Sequence, residues 1–215
     1  MALDRSVEVA ALRVPDVLAD PQWTGSIEEY PSPVPWPLVM DNLPDLMHAA
    51  YLHDESVPDS GFPTEGVMRA VVVEDGVLRS EKVVDGVGQP GGVTIHLPCL
   101  VELDFPLPPA GDVYCYQWSV PVDAHNVVTY TSYQMHTPDD AARVAWAKHF
   151  DEWGRTAQAQ VNTEDNWIIA SQGDPDEAWG DSRPAQLDAG IMRLRRMIEE
   201  KLQDERTARD SSSMS

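Results

Sequence analysis

Apolar and polar positions change rhythm several times along the chain, and each rhythm predicts a different kind of element. Residues 1–37 hold no sustained period and close on Tyr30-Pro31-Ser32-Pro33-Val34-Pro35-Trp36-Pro37. Each proline there removes a backbone donor and disfavours helix before it, so the segment is expected to be extended, linker-like and wrapped over a surface. The stretch PLVMDNLPDLMHAAYLH then reads as one helix of about four turns. Asp41 or Asn42 would begin its better-formed part, with Pro44 in a first-turn position. From Met68 the rhythm becomes that of strands. MRAVVVEDGVLRSEKVV is two β-rich runs joined by Asp75-Gly76, a strong hairpin signal. GGVTIHLPCLVELDF reads as further strand, and YCYQWSVPVDAHNVVTYTSYQMH as two strands about a loop at Asp123–Asn126. Tyr114, Tyr116 and Trp118 alternate and so share one face of the sheet. After His136 the pattern is helical. Thr137 or Asp139 can cap a helix bearing Trp146, Phe150 and Trp153, and a second helical stretch covers about Asn162 to Gln172. The last helix carries Leu187, Ile191, Leu194, Ile198 and Leu202 on one face.

Helix, a run of antiparallel strands, then helices is an α+β order, with helices on one side of a curved sheet. The expected organisation is a linker-like 1–37, a single domain over 38–205 and a disordered tail over 206–215. Composition narrows the function. A hydrophobic fraction of 42% with 24% charged residues fits a globular chain. A formal net charge of −21 argues against a nucleic-acid or anionic-membrane surface, which needs basic patches. Two cysteines, Cys99 and Cys115, are too few for a disulfide framework and read as small buried side chains in strands. No apolar run is long enough to span a membrane and MALDRSVEVA lacks a signal-peptide core, so a reducing cytoplasm is expected.

The candidate chemistry sits in Asp41-Asn42-Leu43-Pro44-Asp45-Leu46-Met47-His48-Ala49-Ala50-Tyr51-Leu52-His53. Asp45 and His48 are three apart and share a helical face. His48 and His53 are five apart, roughly 140° round an ideal helix, so both face one metal only if the helix ends or distorts at His53. A carboxylate from elsewhere would complete a facial triad of the kind that suits non-haem Fe(II). The Glu164-Asp165 pair, at the head of an apolar helical stretch, is the candidate. By spacing alone the ordinary readings stand beside this one: two core or surface histidines, and an acidic pair favoured by a helix dipole.

The residues carry further by resemblance. DNLPDLMHAAYLH resembles the iron-binding motif of Rieske non-haem iron oxygenases, closest to the vanillate O-demethylase-like branch. RVPDVLADPQWTGSIEEYPSPVPWPLVMDNL resembles the passage from the Rieske domain into the catalytic domain. TEDNWIIASQG resembles the block with the third iron ligand, and LDAGIMRLRRMIEEKL the closing helix. The resemblance runs from about Val14 to Leu202. It implies a helix-grip fold and mononuclear Fe(II) held by His48, His53 and Asp165, with Glu164 the fallback if the alignment slips by one. It implies Asp45 as the bridging aspartate between a ligand histidine and the electron donor, and a lesser role for Asn42. The implied activity is O2-dependent hydroxylation or O- or N-demethylation of a small aromatic substrate.

One departure shapes the rest. A Rieske [2Fe–2S] cluster needs two cysteines and two histidines, and neither Cys99 nor Cys115 stands in such a motif. Electrons are therefore expected in trans from a Rieske- or ferredoxin-type partner with its reductase, or the chain is a fragment. A homotrimer, a hetero-complex and a monomer all remain open. Two other classes compete: a non-catalytic helix-grip module for a hydrophobic ligand, and a zinc hydrolase, since the same donors suit catalytic zinc.

Overall fold

The computed structural model describes residues 14–58, 66–103, 113–180 and 188–213. Its first strand, β1 (Trp23–Ser32), falls inside the segment expected to be a linker. β1 lies at one edge of the sheet, where a missing N–H costs no ladder bond, so Pro31 is accommodated opposite Val128. The remaining strands are β2 (Val67–Glu74), β3 (Val77–Val84), β4 (Val87–His96), β5 (Leu100–Leu103), β6 (Val113–Pro121) and β7 (Val127–His136). They form one seven-stranded antiparallel sheet in the order β1-β7-β6-β5-β4-β3-β2. Asp75-Gly76 turns β2 into β3, with Gly76 at φ 75° where a side chain would be strained. The stretch expected as a single strand after Gly91 is broken at Leu97–Cys99, so Cys99 is a half-buried turn residue; Cys115 is buried in β6.

The expected four-turn helix is two helices, α1 (Trp36–Asn42) and α2 (Leu46–Leu52). Pro44 has no N–H to continue the ladder, and Asp45 leaves helical geometry at φ −85°, ψ 85°. The Asp45 carboxylate then accepts from the N–H groups of Met47 (3.1 Å) and His48 (3.3 Å) and starts α2 afresh. After the sheet, α3 (Asp140–His149), a π-helical turn (Phe150–Gly154) and α4 (Arg155–Ala170) run on as one rod. Asp139 caps α3 through Ala142 N–H at 2.8 Å. Short α5 (Pro175–Gly180) precedes α6 (Ala189–Ser213).

Burial assembles these on one face of the sheet. Leu194, Met197 and Ile198 of α6 pack with Met40 and Leu46 against Met68, Leu78, Val93, Ile95 and Val101. Trp146 and Phe150 cover Val113, beside Tyr133 and Met135, further along the same face. Val34, Leu38 and Val39 meet Val127 and Ile169 in a third cluster. A buried Leu or Ile contributes about 1.5–3 kcal/mol, so these helices are held by packing rather than by propensity. Gly190 sets how closely α6 approaches: a Cβ there would lie 2.9 Å from Pro44 and 3.0 Å from the Ser80 hydroxyl. The architecture is thus the α+β, helix-grip arrangement expected.

Two details of α6 differ from expectation. Leu202 is 46% exposed because the helix has run past the sheet by then. Residues 206–213, expected to be disordered, continue the helix. No Gly or Pro interrupts them, and the Thr207 and Ser211 hydroxyls donate back to the carbonyls four residues earlier. Leu187 lies outside the described residues.

Candidate metal centre

The break at Pro44 aims His48. With α2 restarted at Asp45, the His48 ring folds back so that Nδ1 donates to the Asp45 carbonyl oxygen, which leaves Nε2 facing inward. His53 is the residue after the last helical one, at φ −109°, ψ 20°. The end of α2 therefore resolves the awkward five-residue spacing. The two imidazoles approach edge to face with centroids 5.5 Å apart.

Asp165 arrives from α4. It is the eleventh of that helix's sixteen residues, so neither it nor Glu164 is the helix-start acid the sequence pattern indicated. The π-helical turn upstream extends the rod and carries the pair in to meet α2. Asp165 Oδ1 lies 3.4 Å from His48 Nε2 and 3.3 Å from His53 Nε2. One ligand atom from each of His48, His53 and Asp165 falls within 4.8 Å of the others. Asn42, at the end of α1, donates Nδ2 to the same Asp165 oxygen at 3.0 Å. Glu164 turns to the far side of His53, where its Oε2 accepts from Nδ1 at 2.8 Å. Ser56 Oγ and Gln160 Nε2 hold that carboxylate at 2.7 and 2.9 Å. The fallback ligand is thus placed as a buttress. Ser56 and Gln160 escaped the sequence reading, which had no signal that they meet Glu164. The Asp45 carboxylate is spent on the helix start, with its second oxygen 4.0 Å from His48 Nδ1.

The electrostatics follow from these contacts. Burial disfavours the Asp165 charge, but the His48 and His53 imidazoles that face it outweigh this and hold the carboxyl well below the usual range. Glu164 is likewise lowered, with burial overcome by bonds from His53, Ser56 and Gln160. Burial opposes a charge on His53, but Asp165 and Glu164 reverse that and raise its pKa.

Both imidazoles donate through Nδ1, so in the neutral rings both Nε2 lone pairs point at a carboxylate oxygen. Such a convergence of electron pairs requires a cation or proton at its centre. Ligands about 2.1 Å from one metal at right angles lie about 3 Å apart, close to the 3.4 and 3.3 Å that separate Asp165 Oδ1 from the two Nε2 atoms. The donor set fits a facial-triad metal.

Beside the triad lies a cavity of about 130 Å³. Its walls are α2, the α3–α4 rod, and the sheet face bearing Val113, Cys115, Gln117 and Tyr133. Tyr114, Tyr116, Trp118 and Tyr130 occupy the opposite face: the first three stack at 6.3 Å intervals, and Trp118 pairs with Tyr130. Met135 packs on the helix-covered side. Burial pushes the Cys115 thiol up to about 12.

A family model described as homotrimeric ring hydroxylase matches residues 34–204. Among solved structures, the terminal oxygenase of carbazole 1,9a-dioxygenase from Nocardioides aromaticivorans IC177 superposes with TM-score 0.71 at 17% identity, covering 92% of this chain and 63% of that one. A carbazole-bound oxygenase variant in complex with ferredoxin, again of carbazole 1,9a-dioxygenase, gives TM-score 0.65 at 19% identity, covering 86% and 57%. The NdmA QL mutant with theobromine from Pseudomonas putida CBB5 gives 0.64 at 20%, covering 86% and 52%. The chain therefore spans 52–63% of the length of these structures. No curated protein sequence matches it. Among the described residues, no helix is long and apolar enough to cross a membrane.

Proposed function

This chain belongs to the homotrimeric ring hydroxylase family, and on that premise we propose that it is an oxygenase catalytic domain acting on a small aromatic substrate. The observation that carries the reading is the convergence of both imidazole Nε2 atoms on one Asp165 oxygen. His48, His53 and Asp165 would hold mononuclear Fe(II), which when bound supplies dioxygen activation using electrons from a Rieske- or ferredoxin-type donor in trans.

The chain's own residues do the rest. Asn42 fixes the Asp165 carboxylate, and Glu164 fixes the His53 tautomer. The Asp45 carbonyl fixes that of His48. Apolar walls keep water from the reacting position and seat the substrate ring. The Asp45 carboxylate, 35% exposed beside His48, is where an electron donor would couple to the site. Hydroxylation or O- or N-demethylation of a small aromatic compound is the reaction class. Zinc is disfavoured as the working metal because the family's chemistry is ring hydroxylation.

The test is to load the purified chain anaerobically with Fe(II), remove free metal, and count iron in wild type, His48→Ala and Asp165→Ala. The expected result is about one iron per chain in wild type, lost in both variants. Iron-free wild type, or variants that bind equally well, would end the oxygenase reading and put the hydrophobic-ligand module first.

A further inference from the structure

We propose that the cavity beside the triad selects an uncharged aromatic molecule of about one ring, and that His149 is the residue that reads its polar edge. The proposal rests on the function just given and concerns the substrate class of the same site.

Size comes first. The cavity holds about 130 Å³, close to the roughly 150 Å³ of an apolar cavity known to take up benzene. Its helical wall is aromatic. Trp146, His149, Phe150 and Trp153 all line it from the end of α3 and the π-helical turn. The rings form a ladder: Trp146 to Phe150 is 5.9 Å between centroids, Trp146 to His149 5.9 Å, and His149 to Trp153 5.4 Å. Gly154 makes room for it, since a Cβ there would lie 2.6 Å from the Phe150 ring. Faces tilted at these distances suit a flat guest.

Charge comes second. Among the described residues lining the cavity there is no Lys or Arg, while Asp45 and Asp165 both border it. The charge of a divalent ion at the triad is already faced by Asp165, by Asp45, and by Glu164 behind His53. A carboxylate guest would shed water without gaining a counter-ion, which is strongly unfavourable.

Polarity comes last. In the aromatic ladder His149 is the side chain that offers both a donor and an acceptor, so it can pair with a ring hydroxyl or ring nitrogen where an indole can only donate. It acts on specificity and touches the guest, not the metal.

Calorimetric titration of the 215-residue chain, both Fe(II)-loaded under anaerobic conditions and metal-free, tests this with methyl benzoate against benzoate. Methyl benzoate is expected to bind tighter by about tenfold or more in both forms, equivalent to about 1.4 kcal/mol. Phenol against toluene then tests His149. His149→Leu is expected to weaken phenol by about fivefold, one ordinary hydrogen bond, and to leave toluene unchanged. His149→Gln should restore phenol, which a merely structural loss would not permit. Benzoate binding as well as its ester, absence of binding by either, or equal loss of phenol and toluene in His149→Leu would overturn the proposal. The metal-free titration keeps this outcome separate from iron binding: a chain that takes no iron can still show the preference, and an iron-loaded chain can lack it.

Discussion

Glu164 and Asp165 are neighbours with the same chemistry and opposite duties, and the difference is one helical step. At that step the Asp165 oxygen faces both Nε2 atoms, whereas the longer Glu164 reaches round to His53 Nδ1. A carboxylate accepting from Nδ1 fixes the ring's tautomer and raises its basicity as a ligand. Glu164→Ala is therefore expected to weaken Fe(II) binding by about 10–100-fold, measured by competition with a chromogenic chelator. Glu164→Gln should lose less, because its amide oxygen still accepts from Nδ1. Unchanged affinity in Glu164→Ala would mean that His53 is oriented by packing alone. Sequence could name the acidic pair but not divide its labour. The assignment of Asp165 as ligand and Glu164 as understudy came from resemblance, and the buttress appears only when α4 is seen to pass behind His53.

At the scale of elements, the site depends on how α1 is pinned. Asp41 is 4% exposed, and its carboxylate accepts from Arg195 of α6 and from Trp179 Nε1 of α5. Burial raises its pKa, and these partners are what offset the cost of the charge. The next residue, Asn42, is the one that holds Asp165. Removing the cation alone should be severe. Arg195→Leu is expected to destabilise by about 3–5 kcal/mol in urea unfolding, because it strands a buried carboxylate. Asp41→Leu combined with Arg195→Leu should recover most of that. If the two losses simply add, the pair is not coupled. The sequence foretold the strands well, since alternation and Asp75-Gly76 are local signals. It did not foretell the α1–α2 break, where Pro44 reads equally as a first-turn residue and as a stop. Nor did it foretell the edge strand β1, whose partner β7 lies about a hundred residues away. The π-helical turn has no sequence mark at all beyond Gly154, yet it places the aromatic wall.

For the whole molecule the dominant quantity is charge. The chain carries 15 basic and 36 acidic residues, and its family is homotrimeric. Each copy that joins an assembly brings a formal −21. Repulsion between like-charged copies is felt across about 30 Å at 0.01 M salt but only about 10 Å at 0.1 M. Apolar contact is not weakened by the same change. The edge strand β2 offers such surface, with Val67 59%, Val71 41% and Val73 61% exposed. We therefore expect the weight-average mass in sedimentation equilibrium to rise toward three copies as salt goes from about 10 mM to about 300 mM. Assembly through complementary charges would give the opposite trend, with salt dissociating the copies. A mass that falls with salt would thus show that local pairing of opposite charges overrides the net field. A mass of one copy at every salt would mean that self-repulsion is not what limits assembly, and that the contacts which hold the family's trimers are not supplied by this stretch of chain.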